Sequence, residues 1–241
     1  MLTGPEAGIT RDAITVEWEH EGRPLKLVDT AGMRRKSKVQ GTLEKMSVNE
    51  SIRAIRLAQL VILVIDATKP LEKQDLTIAQ HVEREGRALV LVINKWDLAT
   101  DKKELLEEIK YKLGHTLSQV PNLPIVTLSA LNQTNFDKLF YKIFNCYDVW
   151  NTRISTGRMN RWLRGLESHH PAPLSQGRPN RLRFITQIKT RPPTFVIWVS
   201  KPQEIPDSYK RYIVNSIRET YGIDGVPIRL MVRTSVNPYS D

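Results

Sequence analysis

This sequence is short of cysteine, of long apolar runs and, in its last third, of acid. Cysteine occurs once, at Cys146. No disulfide can form within the chain, and a reducing, cytoplasmic setting is the expectation. Cys146 falls in Phe144-Asn-Cys-Tyr147, late in a helical pattern, and reads as a small core residue. The longest apolar runs, Leu60–Ile65 and Ala88–Ile93, have six residues each. A membrane-spanning helix needs about 20, so no membrane partner is expected. The opening Met1-Leu-Thr-Gly-Pro-Glu6 lacks the basic and apolar regions of a secretory signal. Residues 151–241 hold 15 Lys+Arg against 6 Asp+Glu, whereas residues 1–150 hold 21 against 20. The tail therefore carries +9 of the net charge of +10. That asymmetry points to a polyanion, with nucleic acid the default partner and a solubilising surface the alternative.

What is present is globular. The 241 residues are 40% hydrophobic and 26% charged, enough for one large domain or two ordinary ones. Alternation over Ala13–Glu19 and the run Pro24–Val28, separated by the turn His20-Glu-Gly-Arg23, predict a β-hairpin. A basic loop over Arg34–Gln40 and a helix over Thr42–Leu57 follow. Strands Leu60–Ile65, Ala88–Ile93 and Ile125–Leu128 then alternate with helices near Lys73–Glu85, Asp101–Leu113 and Asn135–Tyr147. Continuous aliphatic strands between amphipathic helices predict a parallel sheet covered on both faces. The rhythm and the charge balance both change near Val149–Ser155. Beyond it the pattern predicts helix Thr156–Leu166, loop His169–Asn180, strands Arg181–Ile188 and Thr194–Ser200, helix Asp207–Tyr221 and strand Pro227–Val232.

The strand Ala88–Ile93 ends in Asn94-Lys95-Trp96-Asp97. An Asn-Lys-x-Asp string arises by chance only about 0.03 times in a chain this long at average usage. Its carboxylate suits the N1–H and 2-amino donors that guanine has and adenine lacks. The lysine stem suits the base face, and the asparagine can brace the loop. Such a pocket rejects the wrong base because its own polar groups would be left unpaired. A lysine-rich strand-to-helix turn is the bland alternative. Asp29-Thr30-Ala31-Gly32 ends the second strand, where ligands of open α/β sheets bind. There an aspartate can hold Mg²⁺, and a glycine lets a backbone N–H approach a terminal phosphate. Ser129-Ala130 follows the third parallel strand and could offer backbone N–H groups to the base oxygen. Thr10 could ligate Mg²⁺ beside a γ-phosphate or serve merely as a turn residue.

Taken in order, Thr10, Asp29–Gly32, Asn94–Asp97 and Ser129-Ala130 resemble the second to fifth boxes of a translation-factor-type GTPase. Gly8-Ile-Thr-Arg-Asp-Ala-Ile14, Asp29-Thr-Ala-Gly-Met-Arg-Arg35 and Thr156-Gly-Arg-Met-Asn-Arg-Trp162 narrow the resemblance. Lys189-Thr-Arg-Pro-Pro-Thr-Phe195 and Gly225-Val-Pro-Ile-Arg-Leu230 do so further. Together they resemble the Der/EngA GTPases, bacterial ribosome-assembly factors with two G domains and a C-terminal KH-like domain. The resemblance implies an α/β fold. A P-loop-NTPase-type G domain with an N-terminally truncated parallel sheet would occupy residues 1–150, and a small α+β KH-like domain residues 151–241. It implies GTP and GDP as ligands, held by Thr10, Asp29, Thr30, Ala31, Gly32, Met33, Asn94, Lys95, Trp96, Asp97, Ser129 and Ala130. Mg²⁺ would sit on Thr10 and Asp29, and K⁺ would stimulate turnover. The implied partners are the large ribosomal subunit, its rRNA and a first G domain of the same protein.

The chain departs from that pattern in two ways. No GxxxxGK[ST] string occurs, so the phosphate loop with its lysine and backbone N–H nest lies outside it. The resemblance therefore implies the back half of such a protein, one that alone binds GTP or GDP weakly and hydrolyses GTP negligibly. The missing central strand would leave the hairpin displaced, paired directly with Leu60–Ile65, or completed by another chain. Second, Met33 stands where Ras-type enzymes carry a water-orienting glutamine. The family shares that substitution, and no catalytic base is assigned. A nucleotide-incompetent fragment acting only as a basic RNA-binding module is the competing reading.

In the tail, alternation would place Arg181, Arg183, Ile185 and Gln187 on one side of a strand, with Lys189, Arg191, Phe184 and Phe195 nearby. Arg181, Arg183, Lys189 and Arg191 are the candidate RNA contacts. Gly222-Ile-Asp-Gly225 matches the KH-type GxxG, yet its place after a helix favours a helix cap. His169-His170 has no acidic or cysteine partner at ligand spacing.

Overall fold

The computed structural model describes residues 14–29, 52–174 and 177–234. The chain divides into two compact units, Met1–Ala58 and Gln59–Asp241.

In the first, β1 (Ile14–His20) and β2 (Arg23–Asp29) form an antiparallel hairpin with His20 opposite Arg23. The two-residue loop Glu21-Gly22 has positive φ at both positions, 50° and 74°. That geometry matches the twist of paired strands, and Gly22 adopts it without strain. The hairpin is a two-stranded sheet of its own. Of the helix expected over Thr42–Leu57, residues 52–57 are described and are helical. The basic loop Arg34–Gln40 lies outside the described residues.

The second unit opens with a parallel sheet in the order β3 (Leu60–Asp66), β4 (Ala88–Asn94), β5 (Ile125–Thr127). All six residues Ala88–Ile93 are at most 4% exposed. A strand covered on both faces has no polar side to alternate with. Each large side chain so buried contributes about 1.5–3 kcal/mol. Helices α1 (Lys73–Glu85), α2 (Lys102–Thr116) and α3 (Phe136–Trp150) supply the cover. Helix α1 starts on a reciprocal Glu72/Asp75 capping box. Helix α3 turns Leu139, Phe140, Ile143, Cys146 and Trp150 inward. Burial raises the Cys146 thiol to about 11, so it stays protonated as a core group.

The chain then gives α4 (Thr156–His169), β6 (Leu182–Lys189), β7 (Thr194–Val199), α5 (Asp207–Tyr221) and β8 (Arg229–Thr234). This is the expected αββαβ order. Strand β7 is central, antiparallel to β6 and parallel to β8. Its Phe195, Ile197 and Val199 are fully buried, as are Met159 and Leu163 of α4 and Ile213 and Ile217 of α5. The outer edge of β6 is satisfied by side chains of α4. Asn160 exchanges two hydrogen bonds with the Ile185 backbone, and Glu167 accepts from Leu182 N–H. An edge so occupied is closed to further strands.

One expectation for β6 fails. The register shifts between Leu182 and Phe184, and a bulge there breaks strict alternation. Arg183 and Phe184 are both exposed, whereas Ile185 and Gln187 are buried. The four residues Arg181, Arg183, Ile185 and Gln187 therefore do not share a face. Gly222 caps α5 in the left-handed conformation, φ 65°, which accounts for the first glycine of the GxxG string. His170 lies against the rings of Tyr209 and Tyr212, and its carbonyl accepts from the Tyr209 hydroxyl at 2.7 Å.

Among the described residues, hydrogen bonds join the αββαβ segment to the parallel-sheet segment. Arg218 Nη2 donates to Gln119 O at 2.9 Å, and Arg229 Nη2 to Arg84 O at 2.8 Å. Gly225 N donates to Pro121 O at 3.2 Å. Asn122 Nδ2 donates to Asp224 Oδ2 at 2.8 Å. Space is tight at the joint: a Cβ on Gly225 would lie 2.9 Å from Pro124 Cδ.

Candidate nucleotide-binding site

The carboxyl ends of β3, β4 and β5 bring three loops together. Strand β4 ends at Asn94, Lys95 turns left-handed at φ 60°, and Trp96–Leu98 forms one 3-10 turn. Asn94 is the brace. Its Oδ1 accepts from Lys95 N at 2.7 Å and from Ala130 N at 3.0 Å. One side chain thus ties its own loop to the loop after β5, and Trp96 N adds a bond to Leu128 O at 3.0 Å.

Ser129 is buried, and its loop is closed on itself. Ser129 N donates to Thr134 Oγ1, Asn132 N to Ser129 Oγ, and Asn135 Nδ2 to Thr127 O. The two N–H groups expected to face a base oxygen, those of Ser129 and Ala130, are therefore engaged within the protein. A loop beside a buried serine satisfies its own donors first.

Asp97 is exposed at the start of the 3-10 turn. Among the described residues no protein group takes its carboxylate. Asp66, last residue of β3 and Cα partner of Asn94, was not singled out from the sequence. Its Oδ2 pairs with Lys95 Nζ at 2.6 Å, and its Oδ1 accepts from the backbone and hydroxyl of Thr68. The signal was available: Asp66 sits at a strand's carboxyl end, beside Asn94. The Lys95 ammonium, then the Thr68 donors, outweigh partial burial and hold the Asp66 carboxyl at about 2.

The sign of the consequence follows. A carboxyl depressed from its ordinary value near 4 lends stability that is complete above that value and is lost as pH falls towards 2. The expected result is a ¹³C carboxyl midpoint for Asp66 near pH 2, moved up by Lys95→Met. A midpoint near 4 in both proteins would show that the pair does not form.

Asp29 is the last residue of β2, and Thr10, Thr30, Ala31, Gly32 and Met33 lie outside the described residues. Arg181 precedes β6 and Arg183 sits in its bulge, whereas Lys189 ends β6 and Arg191 follows it. The strand separates the two pairs by about 20 Å.

Residues 3–148 match the family model described as the Elongation factor Tu GTP binding domain. Residues 153–233 match the KH-domain-like region of EngA bacterial GTPase enzymes, C-terminal. Over 241 residues the chain is 51% identical to the GTPase Der of Parvibaculum lavamentivorans, covering all of this chain and 51% of that protein. The chain belongs to the Der/EngA GTPase family. A second relative, the GTPase Der of Brucella melitensis, is 52% identical over 240 residues, covering all of this Der/EngA chain and 50% of that protein. This Der/EngA chain thus spans about half the length of the relatives it matches. A solved structure of Era with MgGDPNP and a 16S rRNA segment is similar at 20% identity and TM-score 0.49, covering 98% of this chain and 85% of that one. Among the described residues no helix is long and apolar enough to cross a membrane.

Proposed function

We propose that this chain carries the base-recognition half of a GTP-binding and GTP-hydrolysing factor in bacterial large-subunit ribosome biogenesis. Residues 1–150 act as the G domain and residues 151–241 as a KH-like RNA or ribosome contact, divided where the two matched regions, 3–148 and 153–233, meet. The observation that carries the reading is Asn94, whose Oδ1 binds two loops while Asp97 presents an unengaged carboxylate beside them. In this reading Asp97 accepts from the guanine N1–H and 2-amino groups. Lys95, steadied by Asp66, lies along the base with Trp96 beside it. Ser129 and Ala130 act through the brace.

Thr10 and Asp29 supply a hydroxyl and a carboxylate, the hard oxygen donors that suit Mg²⁺. Bound there, the ion would neutralise charge between the phosphates. Thr30, Ala31, Gly32 and Met33 would line the terminal phosphate, and K⁺ would act through the phosphate loop. Arg181, Arg183, Lys189 and Arg191 would meet rRNA phosphates. A first G domain and a cytoplasmic setting complete the proposal.

The test joins these residues behind the phosphate-loop segment of the Brucella relative and displaces a fluorescent guanine nucleotide with GDP or ADP. GDP should compete at concentrations lower by a factor of at least about 100, the lower end for two hydrogen bonds to a charged group. Equal competition ends the reading.

A further inference from the structure

At one end of the β6–β7–β8 sheet, register places Phe184, Trp198 and Arg233 in a row: Phe184 pairs with Trp198, and Trp198 with Arg233. Directly paired residues share a face. The two rings lie 5.4 Å apart, tilted by 56°. Phe184 is 41% exposed, Trp198 is half-buried and Arg233 is exposed. The bulge that broke the alternation of β6 is what turns Phe184 outward beside Arg183. Arg183 Nε reaches Ser200 Oγ at 3.4 Å, and Arg181 O accepts from Ser200 N at 3.1 Å, so both arginines border the same end. The support is stiff: buried Asn180 exchanges two hydrogen bonds with the Lys201 backbone. Glu167 is turned to Leu182 N–H and Glu204 is paired with Lys201, so neither forms an ion pair with the arginines.

We propose that the Phe184–Trp198–Arg233 row is a stacking platform for unpaired RNA bases, with Arg181 and Arg183 on the flanking phosphates. The inference rests on the reading of residues 151–241 as an RNA contact and adds to it a site and a ligand form. Rings set among arginines, in a segment of net charge +9, suit a polyanion whose own flat faces are free. That describes single-stranded RNA, because a duplex hides its base faces. A partner protein would need acid to answer the same three arginines, and the base-free probe below separates the two.

The experiment uses the whole chain and two fluorescent probes, octaadenylate and an abasic octamer with the same number of phosphates, at one fixed salt concentration. Octaadenylate should bind tighter than the abasic probe by about tenfold or more, the gain expected of one or two stacked bases. Phe184→Leu with Trp198→Leu should bring octaadenylate down to the affinity that the abasic probe shows for the unaltered chain. Phe184→Tyr, which keeps the ring, should retain the gain. If the double variant does not fold, the half-exposed Phe184→Leu alone should still lower octaadenylate binding severalfold. Equal binding of both probes by the unaltered chain overturns the platform and leaves a basic surface or a protein-docking face. A gain that survives loss of both rings overturns it as well. Failure of both probes to bind at that salt concentration removes the RNA reading itself, and the platform with it.

Discussion

Asp97→Asn should cut the preference for guanine over adenine nucleotides sharply once these residues stand behind a phosphate loop. Asp97 is exposed and among the described residues no group takes its carboxylate, so the effect of the substitution reads on the ligand. Each hydrogen bond to a charged acceptor is worth about 1.5–3 kcal/mol. An amide can offer one acceptor but turns its NH₂ towards a second donor, so at least one bond is lost and a donor pair clashes. Discrimination between GTP and ATP in a competition assay should fall by a factor on the order of 10 to 100. Asn94→Ala should weaken guanine binding by another route, because it frees Lys95 N and Ala130 N together. Unchanged GTP-over-ATP preference in Asp97→Asn would refute the assignment.

Arg218→Ala should destabilise the second unit strongly, by about 3–5 kcal/mol. Arg218 is 5% exposed, and its guanidinium donates to Ile223 O, Val226 O and Gln119 O. Removing it leaves three carbonyls without that donor and empties the volume of a buried side chain. Burial lowers the pKa of the group, yet an arginine stays charged at any physiological pH. Arg218→Lys should rescue little, since one ammonium cannot span carbonyls on both sides of the joint. In a protein of this size a loss of 3–5 kcal/mol corresponds to a melting temperature lower by about 10 °C. An unfolding free energy, from urea titration, within about 1 kcal/mol of the unaltered chain's would show that the joint is held by other contacts.

The elements legible in the sequence were those whose signal is local. Helix Lys73–Glu85 was readable because its apolar spacing, Glu72/Asp75 cap and terminal glycine all fall within one stretch. Strand Ala88–Asn94 was readable because an unbroken aliphatic run has few other uses. Asp66 escaped notice because its partner, Lys95, is 29 positions away and reaches it only through the parallel register of β3 and β4. The β6 bulge escaped because Arg181–Ile188 alternates acceptably as a string, and an extra residue in a strand shows only against its partner. Arg218 gave no warning at all. On its helix it stands next to the buried Ile217 and could pass for a solvated cation, and its acceptor at Gln119 lies 99 residues earlier.

The joint between the two halves of the second unit has a consequence for how freely each side can drift. Three of the hydrogen bonds described there end on main-chain oxygens, those of Arg84, Gln119 and Pro121. A carbonyl is the same whatever side chain it carries. The parallel-sheet side can therefore exchange residues at 84 and 119 without losing grip, so long as Gly86 leaves room for Pro192. The αββαβ side must keep Arg218 and Arg229. The coupling is thus an adapter that grips the backbone at positions 84, 119 and 121 and depends on side-chain identity chiefly at Asn122 and on close fit at Pro124.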